Sequence, residues 1–128
     1  MLRIRPNMTY HKPFLLSPAA KDYLWGGNRL RDGFCKNIDI SLLAETLEYS
    51  THPNGPSIIS RGEYKGISLT DFISKHPHIV GYHPTSSKGK IPILVKFIDA
   101  KANLSIQVHP SDEYAQQHGN GQLGKTEM

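Results

Sequence analysis

The sequence predicts a mainly β domain with small helices, either a barrel or a sandwich of short strands. Apolar residues alternate with polar ones over short runs, Gly and Pro separate those runs at close intervals, and there is no internal repeat. With 128 residues, 38% of them apolar, the chain can bury one modest core. We expect residues 1–13 to be a loose leader and residues 14–128 to form the domain.

The first ordered elements are expected to be an apolar strand and a short helix. Phe14, Leu15 and Leu16 begin the strand, and Pro18 confines it to a sheet edge because proline lacks a backbone N–H. A later Gly-Gly pair at residues 26–27 suits a turn that leads into a short helix around Asn28 to Asp32.

The middle of the chain contains an ambiguous segment and a clear turn. Residues 42–51 fit a helical stripe through their leucines, but they fit strand alternation equally well, so both assignments stay open. The run His-Pro-Asn-Gly-Pro at 52–56 predicts a tight turn. A short strand at 58–60 follows, with further turns expected at Gly62 and Gly66.

The clearest predicted helix runs from Leu69 to His76. Ser68 is a suitable N-cap with Asp71 three residues later, and the apolar residues of the segment share one face. Pro77 is expected to end the helix. Residues 82–90, rich in Pro, Ser, Gly and Lys, predict a loop.

The strongest predicted strand, at residues 91–99, contains a lysine. The run is β-branched and alternating, so Lys96 needs an explanation. One explanation is an edge lysine that prevents aggregation. The other is a lysine that points into a polar cavity. Farther along, Ser111 and the acids after it predict a short helix that closes near Gly119.

A second strand could hold metal ligands. In an extended segment Ser105, Gln107 and His109 project to one side, while the apolar residues between them project to the other. The same period puts Lys125 and Glu127 together on a following segment, and the polar groups of the two segments would converge if the segments pair. An amide is an uncommon zinc ligand, so the pattern alone is weak support for a metal site. The alternative is a strand whose polar residues face water.

Composition excludes several classes of protein. No apolar run is long enough for a membrane span, and the basic start lacks the apolar core of a secretory signal. The single cysteine, Cys35, fits a reducing compartment, so a cytoplasmic location is expected. The net charge of +4 arises from scattered basic residues in the first forty positions, which is not a nucleic-acid surface.

The chain resembles the N-terminal part of type I mannose-6-phosphate isomerases, most closely their shorter bacterial form. Five blocks have the order and spacing of that family: YLWGG at 23–27, AETLEYSTHPNGPS at 44–57, LVKFIDA at 94–100, LSIQVHPSDEYA at 104–115 and GKTE at 124–127. One departure is Leu47, where the family commonly has tryptophan. Less than half of the family's usual length is present, so we expect a truncated product.

The resemblance implies a cupin-type (jelly-roll) β fold and the interconversion of mannose 6-phosphate and fructose 6-phosphate with one bound zinc. It implies that Gln107, His109 and Glu127 are zinc ligands, with a fourth ligand, a histidine, outside this chain. It also implies that Lys96 and Lys125 lie near the metal and the sugar, as catalytic residues whose individual roles stay open.

These expectations lead to two functional hypotheses. The first is an isomerase fragment that is inactive alone, because three ligands without the rest of the barrel hold zinc poorly. The alternative is a non-catalytic cupin-like module that binds a sugar phosphate. Neither nucleic acid nor membrane is expected as a partner, whereas exposed strand edges would allow self-association.

Overall fold

The structure, a computed structural model, describes residues 12–81, 90–119 and 124–125. Its elements are β1 (Leu16–Ser17), β2 (Ala19–Lys21), α1 (Arg29–Asp32), β3 (Glu45–Tyr49), β4 (Ile58–Ile59), α2 (Leu69–Lys75), a 3-10 helix (Pro77–Val80), β5 (Val95–Ile98) and α3 (Asp112–His118). Most of the expected leader and residues 82–89 of the expected loop lie outside the described residues, and the domain boundary stays a prediction.

The strands form two small antiparallel sheets. β1 pairs with β4, with Leu16 opposite Ile59. The second sheet has the order β2-β3-β5, and both of its strand pairs are antiparallel. Pro18 lies between β1 and β2, where its missing N–H interrupts neither ladder. The chain therefore passes from the two-stranded sheet to the three-stranded sheet at Pro18. This agrees with the prediction that the proline lies at a sheet edge.

β3 is the centre of the three-stranded sheet and settles the ambiguity of residues 42–51. Thr46 is fully buried and Leu47 is 6% exposed. A strand on each side satisfies the backbone groups of β3, so tertiary pairing decides in favour of the strand. The turn after β3 is also as predicted, since the amide of Gly55 donates to the carbonyl of His52 at 3.0 Å.

α2 provides the largest part of the core. The Ser68 side chain accepts a hydrogen bond from the Asp71 amide at 3.0 Å, which caps the helix as predicted. The Phe72 ring is 1% exposed and lies 4.9 Å from the Phe14 ring and 4.7 Å from the Tyr64 ring, between centroids. Burying a ring of this size contributes about 2–3 kcal/mol.

The strand predictions for the last third of the chain need correction. The strand expected at 91–99 is confined to β5, and the strand expected around Gln107 is wrong, because residues 103–110 have no strand structure. A strand needs a partner for its backbone groups, and no described strand pairs with this segment. Ile106 and Val108 are 100% and 91% exposed, so the expected apolar face covers no core.

Candidate active site

Lys96 is fixed on β5 by an ion pair with β3. Its Nζ lies 3.2 Å from Oε1 of Glu45, and the two side chains are 25% and 12% exposed. The pairing arises because Lys96 is in register with Leu47, two residues along β3 from Glu45, on the same face of the sheet. β5 is an edge strand of the described sheet, which agrees with the explanation of Lys96 as an edge lysine that prevents aggregation. Lys96 also has a partly buried partner in Glu45.

Glu45 is a candidate functional residue that the sequence interpretation did not single out. It is mostly buried, and its carboxylate directs the position of Lys96. Alternation alone could place Glu45 on one face of a strand. Its proximity to Lys96 depends on the register between β3 and β5, which no local pattern in the sequence reveals.

The chain that leaves β5 is anchored beside the YLWGG turn. The Gly27 amide donates to the Asp99 carbonyl at 3.0 Å, and the Lys101 amide donates to the Trp25 carbonyl at 2.9 Å. Glycine is required at position 26 because an added Cβ would lie 2.5 Å from Ala44 Cβ. Two of the blocks that resemble the isomerases thus meet at this point, directly before the segment with the proposed ligands.

Gln107 and His109 lie in that segment without strand structure. The Gln107 Nε2 atom donates to the Ser105 hydroxyl at 3.3 Å, so these two side chains project to the same side, as alternation predicts. Gln107 is exposed, and His109 is half-buried. The hydrogen bond uses Nε2, and Oε1 is the atom with which an amide binds a metal.

Lys125 is brought to the end of the same segment by backbone contacts. Its amide donates to the carbonyl of Pro110, the residue after His109, at 3.1 Å. The preceding amide, of Gly124, donates to Oδ1 of Asp112 at 2.8 Å. These two contacts join residues 124–125 to Pro110 and to Asp112 in the first turn of α3, while the expected pairing of two extended segments stays a prediction.

Glu127 lies outside the described residues, so the three-ligand set stays a prediction. Among residues 12–81, 90–119 and 124–125, no group of three or more His, Cys, Asp or Glu side chains could hold a metal ion. Of the proposed ligands of those residue types, only His109 lies within the described residues, so this absence does not test the set. Gln107 was predicted to bind the metal through its amide oxygen, and glutamine is not among these residue types.

A shallow depression lies apart from these candidate residues. Its volume is about 380 Å³, and it is lined by Asn28, Arg29, Asp32, Gly33, Phe34 and Lys101. None of the five predicted site residues lines it.

Comparison with known sequences identifies the family. Residues 14–123 match the family described as phosphomannose isomerase type I, catalytic domain. The chain belongs to this family. The resemblance inferred from the five blocks is thereby confirmed.

Individual relatives agree with that assignment. The probable mannose-6-phosphate isomerase GmuF of Bacillus subtilis (strain 168) is 43% identical over 116 residues, covering 90% of this chain and 36% of the relative. The mannose-6-phosphate isomerase ManA of the same organism is 40% identical over 116 residues, covering 91% of this chain and 36% of the relative. The chain thus spans about a third of the length of these phosphomannose isomerase relatives.

A solved structure supports the fold. The crystal structure of the mannose 6-phosphate isomerase from Bacillus subtilis matches with a TM-score of 0.79 and 36% sequence identity, over 89% of this chain and 35% of that chain. The mainly β, cupin-type fold class is therefore confirmed. In the part of the chain that the structure describes, no helix has the length and apolar character needed to cross a membrane.

Proposed function

We propose that this chain forms part of an active site that interconverts mannose 6-phosphate and fructose 6-phosphate. The observation that supports this most directly is the backbone hydrogen bond from the Lys125 amide to the carbonyl of Pro110, the residue that follows His109. The reaction moves a proton between C1 and C2 of the sugar through an enediol, and so needs positioned cations and a proton carrier.

The proposed metal site consists of the Gln107 amide oxygen, the His109 imidazole and the Glu127 carboxylate, with a fourth ligand from outside this chain. Imidazole and carboxylate are common zinc ligands, and the amide oxygen completes a set with one negative charge. One zinc ion bound there would act as a Lewis acid for the negative charge that develops on the substrate oxygens.

Lys96 and Lys125 are the proposed catalytic residues. Each can bind a substrate oxygen or transfer the proton, and the assignment between them stays open. The 3.2 Å ion pair favours a positioning role for Glu45, because it holds the ammonium group of Lys96 on the face of β3. The substrate class that belongs to this proposed reaction is a sugar phosphate. The proposed location is the cytoplasm.

We expect the 128-residue chain alone to bind zinc weakly and to turn over little or no substrate. Gln107 is exposed in a segment without strand structure, so the free energy of metal binding must also order that segment. A coupled assay for fructose 6-phosphate tests the second expectation, and native-like turnover would contradict it. Binding of mannose 6-phosphate without turnover would instead favour the binding-module alternative.

The ligand assignment is tested by zinc affinity, measured in competition with a chromophoric chelator. His109→Ala and Gln107→Ala should each weaken binding about tenfold or more, because each removes a proposed ligand. His118→Ala is the matched control, since His118 is an exposed histidine at the end of α3. Equal affinity for His109→Ala and the unmodified chain would reject the proposed site.

A further inference from the structure

Asp99 is a buried acidic residue that the proposed reaction does not use. It lies directly after β5 and is 6% exposed. Its Oδ2 atom accepts a hydrogen bond from the backbone amide of Arg29, the first residue of α1, across a separation of 70 residues in the chain. A carboxylate is rarely buried unless a partner stabilises it, so this contact needs an explanation.

The carboxylate supplies a cap that α1 lacks locally. Asn28 occupies the N-cap position, but its side chain makes no capping hydrogen bond. A helix of 4 residues is not stable by itself, and its first amides have no partner within the helix. A carboxylate beside those amides is favourable. The position of α1 against the end of β5 therefore depends on Asp99.

The turn before α1 packs directly against this carboxylate. A Cβ added at Gly27 would lie 2.5 Å from Oδ2 of Asp99, so the turn can take this position only with glycine. The backbone of Asp99 adds two bonds: its carbonyl accepts from the Gly27 amide at 3.0 Å, and its amide donates to the Ala44 carbonyl at 2.9 Å. The YLWGG turn, α1 and the residue before β3 thus meet at Asp99.

The same turn holds the start of the segment with the proposed metal ligands. The Trp25 carbonyl accepts hydrogen bonds from the amides of Lys101 at 2.9 Å and Ala102 at 3.1 Å. The far end of the segment is held at Pro110, whose carbonyl accepts a backbone hydrogen bond at 3.1 Å. Residues 103–109 therefore form a loop that is tethered at both ends, and the first tether belongs to the turn that Asp99 fixes.

We propose that Asp99 is a positioning residue for the metal site: its carboxylate fixes the YLWGG turn, and the turn holds the loop that contains Gln107 and His109. This inference rests on the proposed function, because it concerns the same ligands. Gly26 and Gly27 restrict the backbone little, so the turn can move and release the loop when the carboxylate is removed. A loop freed at one end has more conformational entropy for metal binding to remove, which lowers the affinity.

Zinc affinity of the 128-residue chain, measured in competition with a chromophoric chelator, separates positioning from stability. Asp99→Ala should weaken binding about tenfold, the lower end of the effect of outer contacts in metal sites. Asp99→Asn should bind zinc nearly as well as the unmodified chain, because its amide oxygen can still accept from the Arg29 amide.

Ser68→Ala is the control for a merely structural loss. It removes the cap of α2 without touching the turn, so it should lower stability and leave zinc affinity unchanged. Unchanged affinity in Asp99→Ala, or equal weakening by Ser68→Ala, would overturn the proposal.

Amide hydrogen exchange tests the first tether without metal. In the unmodified chain the amides of Arg29, Lys101 and Ala102 should exchange together, as parts of one opening unit. Asp99→Ala should speed exchange at Lys101 and Ala102 more than in α2. Exchange of these two amides independently of Arg29, or at an unmodified rate in Asp99→Ala, would contradict the positioning role. If the unmodified chain binds no zinc, the ligand assignment fails instead, and exchange still decides whether Asp99 holds the loop.

Discussion

Residues 12–81 and the later described residues, 90–119 with 124–125, differ in how they use their apolar side chains. In the first region, buried apolar residues form a core: Leu30, Leu43, Ala44, Leu47, Ile59, Leu69, Phe72 and Ile73. In the second region the buried apolar residue is Ala115, whereas large apolar side chains are exposed along its length, with Ile106 fully exposed. The buried apolar side chains therefore lie mainly in the first region, and β3 of that region pairs with β5 of the second.

The difference separates the scaffold from the candidate site. Four of the five predicted site residues are described, and all four lie in the second region: Lys96, Gln107, His109 and Lys125. Two of them are held by described contacts: the Lys125 amide donates to the Pro110 carbonyl, and Lys96 forms an ion pair with Glu45. Regions with few buried apolar contacts open at low free energy, so further contacts to this region should order the site.

Two isoleucines, one in each region, test this comparison with the largest expected effect. Ile73 is 1% exposed, and Ile106 is 100% exposed. Ile73→Ala removes buried methyl groups and leaves a cavity, which should lower the free energy of unfolding by about 2–5 kcal/mol. Ile106→Ala removes a side chain that buries nothing in the monomer and should change it by less than about 0.5 kcal/mol.

Urea denaturation followed by far-UV circular dichroism measures both changes. Both variants are measured at the same low protein concentration, so that self-association does not contribute to the comparison. Equal losses of stability for the two variants would show that the second region is packed as well as the first, and the distinction between scaffold and site segment would be withdrawn.

The sequence predicted helices better than strands, for a local reason. α2 was predicted from Ser68 and the stripe of apolar residues after it, and α3 from Ser111 and its early acids. Both signals lie within a few residues of the helix that they specify. β3 stayed open, and the strand at Gln107 was wrong, because a strand depends on partners that are distant in sequence.

The candidate site shows the same limit. Alternation correctly placed Ser105 and Gln107 on one side, since that relation spans two residues. The ion pair of Glu45 with Lys96 was missed because it depends on the register of β3 against β5. The resemblance to the isomerases, not any local pattern, singled out Lys96 and Lys125 together, since blocks at 94–100 and 124–127 are separated in the chain.

The two helix caps test the comparison at a smaller energy. Ser68 and Ser111 accept hydrogen bonds from amides at 3.0 and 3.2 Å, and replacing such a cap by alanine costs about 1 kcal/mol. Ser68→Ala should lower the global free energy of unfolding by that amount, because α2 packs into the core. Ser111→Ala should instead loosen α3 locally.

Amide hydrogen exchange distinguishes these outcomes. Ser111→Ala should speed exchange within α3 while exchange in β3 stays unchanged, whereas Ser68→Ala should speed exchange in β3 and leave α3, which opens locally, unchanged. Uniform acceleration throughout the chain by Ser111→Ala would mean that α3 belongs to the same cooperative unit as the core.

The smallest effect is a pH dependence in the scaffold. Burial raises the pKa of Tyr49 above its usual value, because the charged phenolate loses hydration. The folded state therefore favours the neutral phenol: this stabilisation is fully present below about pH 10 and is lost as the pH rises through the folded-state pKa.

Unfolding measured from pH 8 to 11 should show a steeper alkaline loss of stability for the unmodified chain than for Tyr49→Phe. Tyr114→Phe, which deletes a 59% exposed phenol of the second region, is the control. Identical alkaline slopes for Tyr49→Phe and the unmodified chain would show that Tyr49 is hydrated, and that the central strand is less enclosed than its neighbours indicate.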